Sequence, residues 1–114
     1  MNVLVLSSKK YFLDEIAEFF QSENIKLFSA ETLEDAIAAL FKNKIDIFLF
    51  QFDSLEEIEL LRYINNYYRK IKVIILTNNF LHNAISILKN GDYFLMNNPF
   101  KIQDLKNIIQ KKEI

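Results

Sequence analysis

Residues 3–10 read VLVLSSKK: four apolar residues, Val3 to Leu6, run straight into two hydroxyls and two lysines, with no glycine or carboxylate at the step. Short unbroken apolar runs rich in branched residues are the pattern of strands covered on both faces. Two more such runs follow, IDIFLF at 45–50 and VIIL at 73–76, and weaker strands fit Ile25–Ser29 and Tyr93–Met96. Between them the period changes. Leu33, Ala36, Ile37, Leu40 and Phe41 recur at i, i+3, i+4, i+7 and i+8, which predicts an amphipathic helix burying that stripe, with Thr32 as its N-cap. Similar stripes are Phe12, Ile16, Phe19 and Phe20; Leu81, Ala84, Ile85 and Leu88; and Ile102, Leu105, Ile108 and Ile109. SLEE at Ser54–Glu57 is a capping box that opens a longer helix through about Tyr68. Gly91 follows the fourth helix, where a left-handed C-cap is wanted.

Strand followed by helix, five times over, predicts an α/β fold with a parallel sheet and helices on both faces. At 114 residues and 51% hydrophobic, the chain is one domain, residues 1–114, with a single core. Ligands of such sheets sit outside the carboxyl ends of the strands. The residues expected there are Ser7 and Ser8, Gln51, Thr77 and Asn78, and Asn97 and Asn98.

Composition removes several classes of function. The chain has no cysteine, which excludes disulfides, thiol chemistry and cysteine-ligated zinc, and the single His82 cannot build a histidine metal cluster. A net charge of −1 with scattered lysines gives no footprint for direct nucleic-acid contact. No apolar run approaches a membrane span, so no membrane partner is expected.

Three segments, DIFLFQF at Asp46–Phe52, VIILTN at Val73–Asn78 and GDYFLMNNPF at Gly91–Phe100, together resemble the receiver domain of two-component response regulators. The likeness runs from about residue 2 to residue 112, and the order and spacing of the motifs carry it. It implies a doubly wound, five-stranded parallel (βα)5 sheet of flavodoxin or CheY-like type, strand order 2-1-3-4-5. It also implies a bacterial protein of signal transduction or transcription regulation; with no membrane-length apolar run and no signal-peptide features in residues 1–8, a cytoplasmic location is expected.

The departures from that family bear directly on chemistry. Receivers carry two acidic residues after the first strand, where Ser7 and Ser8 stand, and an aspartate that accepts phosphate at the end of the third, where Gln51 stands. Asn98 replaces the lysine before Pro-Phe, and Thr77 is kept. The aromatic switch position three places before that lysine falls on Leu95. A carboxamide cannot form an acyl phosphate, and neutral hydroxyls and amides are poor ligands for Mg²⁺, which prefers anionic oxygens in octahedral geometry. No cofactor and no enzyme activity are therefore expected. Ser7, Ser8, Gln51 and Asn98 are expected to form a neutral hydrogen-bonded network in place of the charged cluster.

Asp53 lies two residues past Gln51 in the same alternation phase; it reads as a turn or N-cap residue beside Ser54, with a displaced phosphoacceptor as the alternative. The resemblance places partner contacts, with another protein or a second copy, on the face of the fourth helix, fifth strand and fifth helix. Here that face carries Lys89, Asp92, Tyr93, Asp104 and Lys106. An output domain beyond Ile114 is compatible with the same reading. Exposed aromatics among the 5 Tyr and 11 Phe, with Tyr63, Tyr67 and Phe80 as candidates, would favour an interface. Two other classes stay open: a small-anion or ligand-binding flavodoxin-like domain using the same strand ends, and a hydrolase built on Ser7 or Ser8, for which no base is identified.

Overall fold

Five parallel strands form one sheet in the order β2-β1-β3-β4-β5. The computed structural model describes residues 1–20, 25–51, 58–68, 70–77, 93–97 and 102–110. Along the chain they give β1 (Asn2–Leu6), α1 (Lys10–Phe19), β2 (Lys26–Ala30), α2 (Leu33–Lys42) and β3 (Ile47–Gln51). Then come α3 (Ile58–Tyr67), β4 (Lys72–Thr77), β5 (Tyr93–Asn97) and a C-terminal helix (Ile102–Gln110). The doubly wound α/β architecture expected from the alternation is thus present. The predicted helix around Leu81–Leu88, the capping box Ser54–Glu57, Phe80 and Gly91 lie outside the described residues.

Strand residues alternate between two cores. Leu4, Leu6, Phe48, Phe50, Val73 and Ile75 face Ala36 and Leu40 of α2 and Leu60, Leu61 and Ile64 of α3. Val3, Val5, Ile47, Leu49, Ile74 and Leu76 face Phe12, Leu13 and Ile16 of α1, Phe20 beyond it, and Leu105 and Ile109 of the C-terminal helix. Both faces are therefore dry, which is why Val3–Leu6, Ile47–Phe50 and Val73–Leu76 contain no polar residue. Each fully buried aliphatic or aromatic side chain contributes about 1.5–3 kcal/mol. Phe48 and Phe50, on one face of β3, stack with ring centroids 5.5 Å apart.

Local signals fix the element ends. Thr32 Oγ1 accepts the Asp35 N–H at 3.1 Å, capping α2 as expected. Glu34 and Asp35 in its first turn and Lys42 in its last complement the helix dipole. At the amino edge of the sheet, the Asp46 carboxylate accepts the Asn2 N–H at 2.8 Å, and the Asp46 N–H donates to the Asn2 carbonyl at 2.9 Å. The Asp46 carbonyl accepts the Lys72 N–H at 3.1 Å, so one residue ties β1, β3 and β4 before their ladders begin.

The stripe on α2 departs from its expected burial. Ala36 and Leu40 are buried, but Leu33 and Ile37 are each 38% exposed and Phe41 is 84% exposed. The helix packs over β1 and β2, and β2 is the edge of the sheet, so the sheet covers only one side of it. Tyr67 on α3 is exposed as anticipated, whereas Tyr63 is half-buried between Tyr67 and Tyr68, with centroids at 5.1 and 5.9 Å. Burial and the neighbouring Tyr63 hydroxyl raise the Tyr68 phenol above its ordinary value of 10.0.

Two outcomes follow from this packing. In urea unfolding, Phe48→Ala costs about 3–5 kcal/mol, while Phe41→Ser stays within about 0.5 kcal/mol of the parent. Above pH 10 the unfolded chain releases the Tyr68 proton while the folded one retains it, so stability falls as pH rises, and Tyr68→Phe flattens that fall.

Candidate functional site

Pairing of Leu6 with Phe50 sets Ser7 and Gln51 side by side at the carboxyl edge of β1 and β3. Their phase follows Val3 and Val5, and Ile47 and Leu49, so both belong to the face packed by α1 and the C-terminal helix. Ser7 N–H donates to the Ala30 carbonyl at 3.1 Å, which continues the β1–β2 ladder one residue past the strand. Ser7 is 1% and Gln51 6% exposed, and they are the buried polar residues among the described ones.

They find each other. The Ser7 hydroxyl donates to Gln51 Oε1 and accepts the Lys9 N–H at 3.1 Å. A serine oxygen that bonds the amide two residues on is a local turn device, and here it bends the chain out of β1 and into α1. Lys9 holds the N-cap position with extended backbone and no side-chain cap of its own. One hydroxyl therefore joins the end of β1, the end of β3 and the start of α1. Among the described residues, no buried side-chain nitrogen or oxygen lacks a hydrogen-bond partner. The role of the Lys9 amide was not foreseen from the sequence, although a serine two residues before a helix N-cap is its signal.

Ser8 does not join this pair. It is exposed, as are Lys9 and Lys10, because successive side chains leave opposite sides of an extended segment, and Ser7 takes the inward position. The expected four-residue network is thus seen as one pair, Ser7 with Gln51. Asn98, Asn78, Asp53 and His82 lie outside the described residues, as do Lys89 and Asp92. Thr77 ends β4 in register with Asn97, one step beyond Gln51 and Leu76. Leu95 stands opposite Ile75 and Tyr93 opposite Val73. Asp104 is exposed on the C-terminal helix, which also carries Lys106.

The described donors at this edge do not fit Mg²⁺. The Ser7 hydroxyl and Gln51 Oε1 are neutral and hydrogen-bonded to each other. Among the described residues, no group of three or more His, Cys, Asp or Glu side chains could hold a metal. The Ser7 proton is directed at a carboxamide oxygen, which is no base at neutral pH.

No family model matches the sequence, and no curated protein sequence matches it. Solved structures do. The receiver domain of response regulator 1452 from Francisella superimposes with a TM-score of 0.82 and 25% identity, covering 99% of this chain and 98% of that one. This is the receiver-domain fold of response regulators. A response regulator receiver domain protein from Clostridium thermocellum is similar at a TM-score of 0.80 and 23% identity, covering 98% of this chain and 96% of its own. NtrX from Brucella abortus matches at 0.82 and 20% identity over 96% of this chain but 25% of that one, so there the receiver fold is one part of a longer protein.

Truncating the buried pair tests its contribution. Ser7→Ala leaves Gln51 Oε1 without its donor and costs about 1–3 kcal/mol in chemical denaturation. Combining it with Gln51→Leu costs less than the two single changes summed, which a double-mutant cycle measures.

Proposed function

We propose that the chain is an atypical receiver domain that works in signal transduction by protein–protein interaction, without phosphorylation, metal or catalysis. The observation that carries this reading is the buried Ser7–Gln51 hydrogen bond at the strand ends where receivers, by the resemblance, hold an acidic residue and a phosphoaccepting aspartate. A phosphoryl group needs a carboxylate to attack with and a cation to neutralise its charge. Here the two inward groups are neutral and hydrogen-bonded to each other. Without a ligand that enters or leaves this edge, the domain is held in one state and acts as a fixed recognition surface.

The face built from β5 and the C-terminal helix, with Tyr93, Asp104 and Lys106, is proposed to receive a protein partner, and Lys89 and Asp92 precede it in sequence. Its mixed charge suits a polar, reversible contact. The NtrX match, in which the same fold makes up a quarter of the chain, supports a role alongside a separate output domain. Among the described residues, no helix is long and apolar enough to cross a membrane.

An amide NMR titration with Mg²⁺ and then beryllofluoride, a phosphoryl mimic, tests the reading. The expected result is that the Ser7, Gln51 and Thr77 peaks stay in place. Shifts centred on Asp53 would instead establish a displaced acceptor, and shifts of Ser7 and Lys9 with inorganic phosphate alone would establish an anion-binding domain; either overturns the proposal. In a second test, Gln51→Asp restores a carboxylate but not the acidic pair. It is expected to remain unmodified by acetyl phosphate in intact-mass analysis and to lose stability, more at pH 8 than at pH 5, because burial raises the new carboxyl pKa.

A further inference from the structure

We propose that the exposed side of α2 is a self-association surface that pairs with α2 of a second copy, antiparallel, about a two-fold axis at Ile37 and Ala38. The inference rests on a different surface from the strand-end site and does not depend on how that site treats phosphate.

Leu33, Ile37 and Phe41 lie one turn apart along a single line of α2, and all three are exposed, Phe41 most of all at 84%. Beside this line runs a second row, Glu34, Ala38 and Lys42, also exposed. A lone exposed apolar residue is ordinary, but three in line, next to a small residue that lets another backbone approach, form a helix-pairing face.

The charge pattern selects the occupant. The N-terminal end of the face is acidic, with Glu31, Glu34 and Asp35 exposed, and the C-terminal end is basic, with Lys42 and Lys44 exposed. Among the described residues, neither Glu34 nor Lys42 forms an ion pair within the chain. The pattern is complementary to itself when reversed. A two-fold contact is isologous, so a residue near one end of a helix meets one near the other end of its partner. Turning a second α2 antiparallel puts Leu33 against Phe41 and Ile37 against its own copy. It also brings Glu34 to Lys42 twice, and opposes the two helix dipoles favourably. A parallel arrangement would set Glu34 against Glu34 and Lys42 against Lys42. Ten residues make a helix about 15 Å long, so the contact is small and the dimer weak, with a dissociation constant on the order of micromolar.

Sedimentation equilibrium through the micromolar range tests this, with thermal melting followed by circular dichroism to verify folding. The parent chain is expected to dimerise reversibly. Ile37→Glu raises the dissociation constant by about a hundredfold, since it desolvates two like charges at the axis. Lys42→Glu weakens the dimer, and Glu34→Lys combined with Lys42→Glu restores it, because both complementary contacts are reversed together. The sequence has no cysteine, so Ala38→Cys introduces a unique thiol that oxidises to a covalent dimer, while Tyr11→Cys, at an exposed position of α1, does not. A chain that stays monomeric, a dimer indifferent to Ile37→Glu, no rescue by the charge swap, or equal oxidation of the two cysteine variants overturns the proposal and leaves the face to a different protein.

Discussion

Burial of the sheet on both faces is the constraint on which the other features depend. Once helices cover both sides, a polar side chain in β1, β3 or β4 has no water to fall back on, so it must be absent or fully partnered. Val3 to Leu6 and Ile47 to Phe50 satisfy the first condition. Ser7 and Gln51 satisfy the second, and they do so at the first inward positions where a neighbouring loop or helix end can supply a partner. The candidate site is therefore where the hydrophobic requirement stops, and its membership follows from register more than from residue type.

That account also explains which parts of the molecule could be read from the sequence. The strands were legible because two-sided burial leaves an unbroken apolar run, and the sheet order followed from a resemblance that structural similarity to receiver domains supports. The stripe on α2 was legible as a helix but not as a surface. Periodicity reports which residues share a side, not how much sheet lies beneath them, and α2 sits over an edge strand. Ser7 and Ser8 look equivalent as letters, and only the alternation phase separates a buried hydroxyl from a solvated one. The Lys9 amide was invisible to a reading of side chains because it is backbone.

A neutral Ser7–Gln51 pair and a cluster of carboxylates would make the edge of the sheet respond to different things. Carboxylates crowded together titrate, attract cations and relax when a cation arrives. A hydroxyl and a carboxamide do none of these across the physiological pH range, and their bond gains strength from the low dielectric around it. Under the proposed reading, a handful of atoms at two strand ends decides whether such a fold is a switch or a fixed shape. Nothing in the two hydrophobic cores needs to change for that conversion.

The central strands are also fastened at both extremities, by Asp46 across β1, β3 and β4 at one edge and by Ser7 across β1, β3 and α1 at the other. β2 borders a single strand on one side of the sheet and β5 does so on the other. The margins of the sheet are therefore expected to open first, and β1 and β3, which carry the Ser7–Gln51 pair, last.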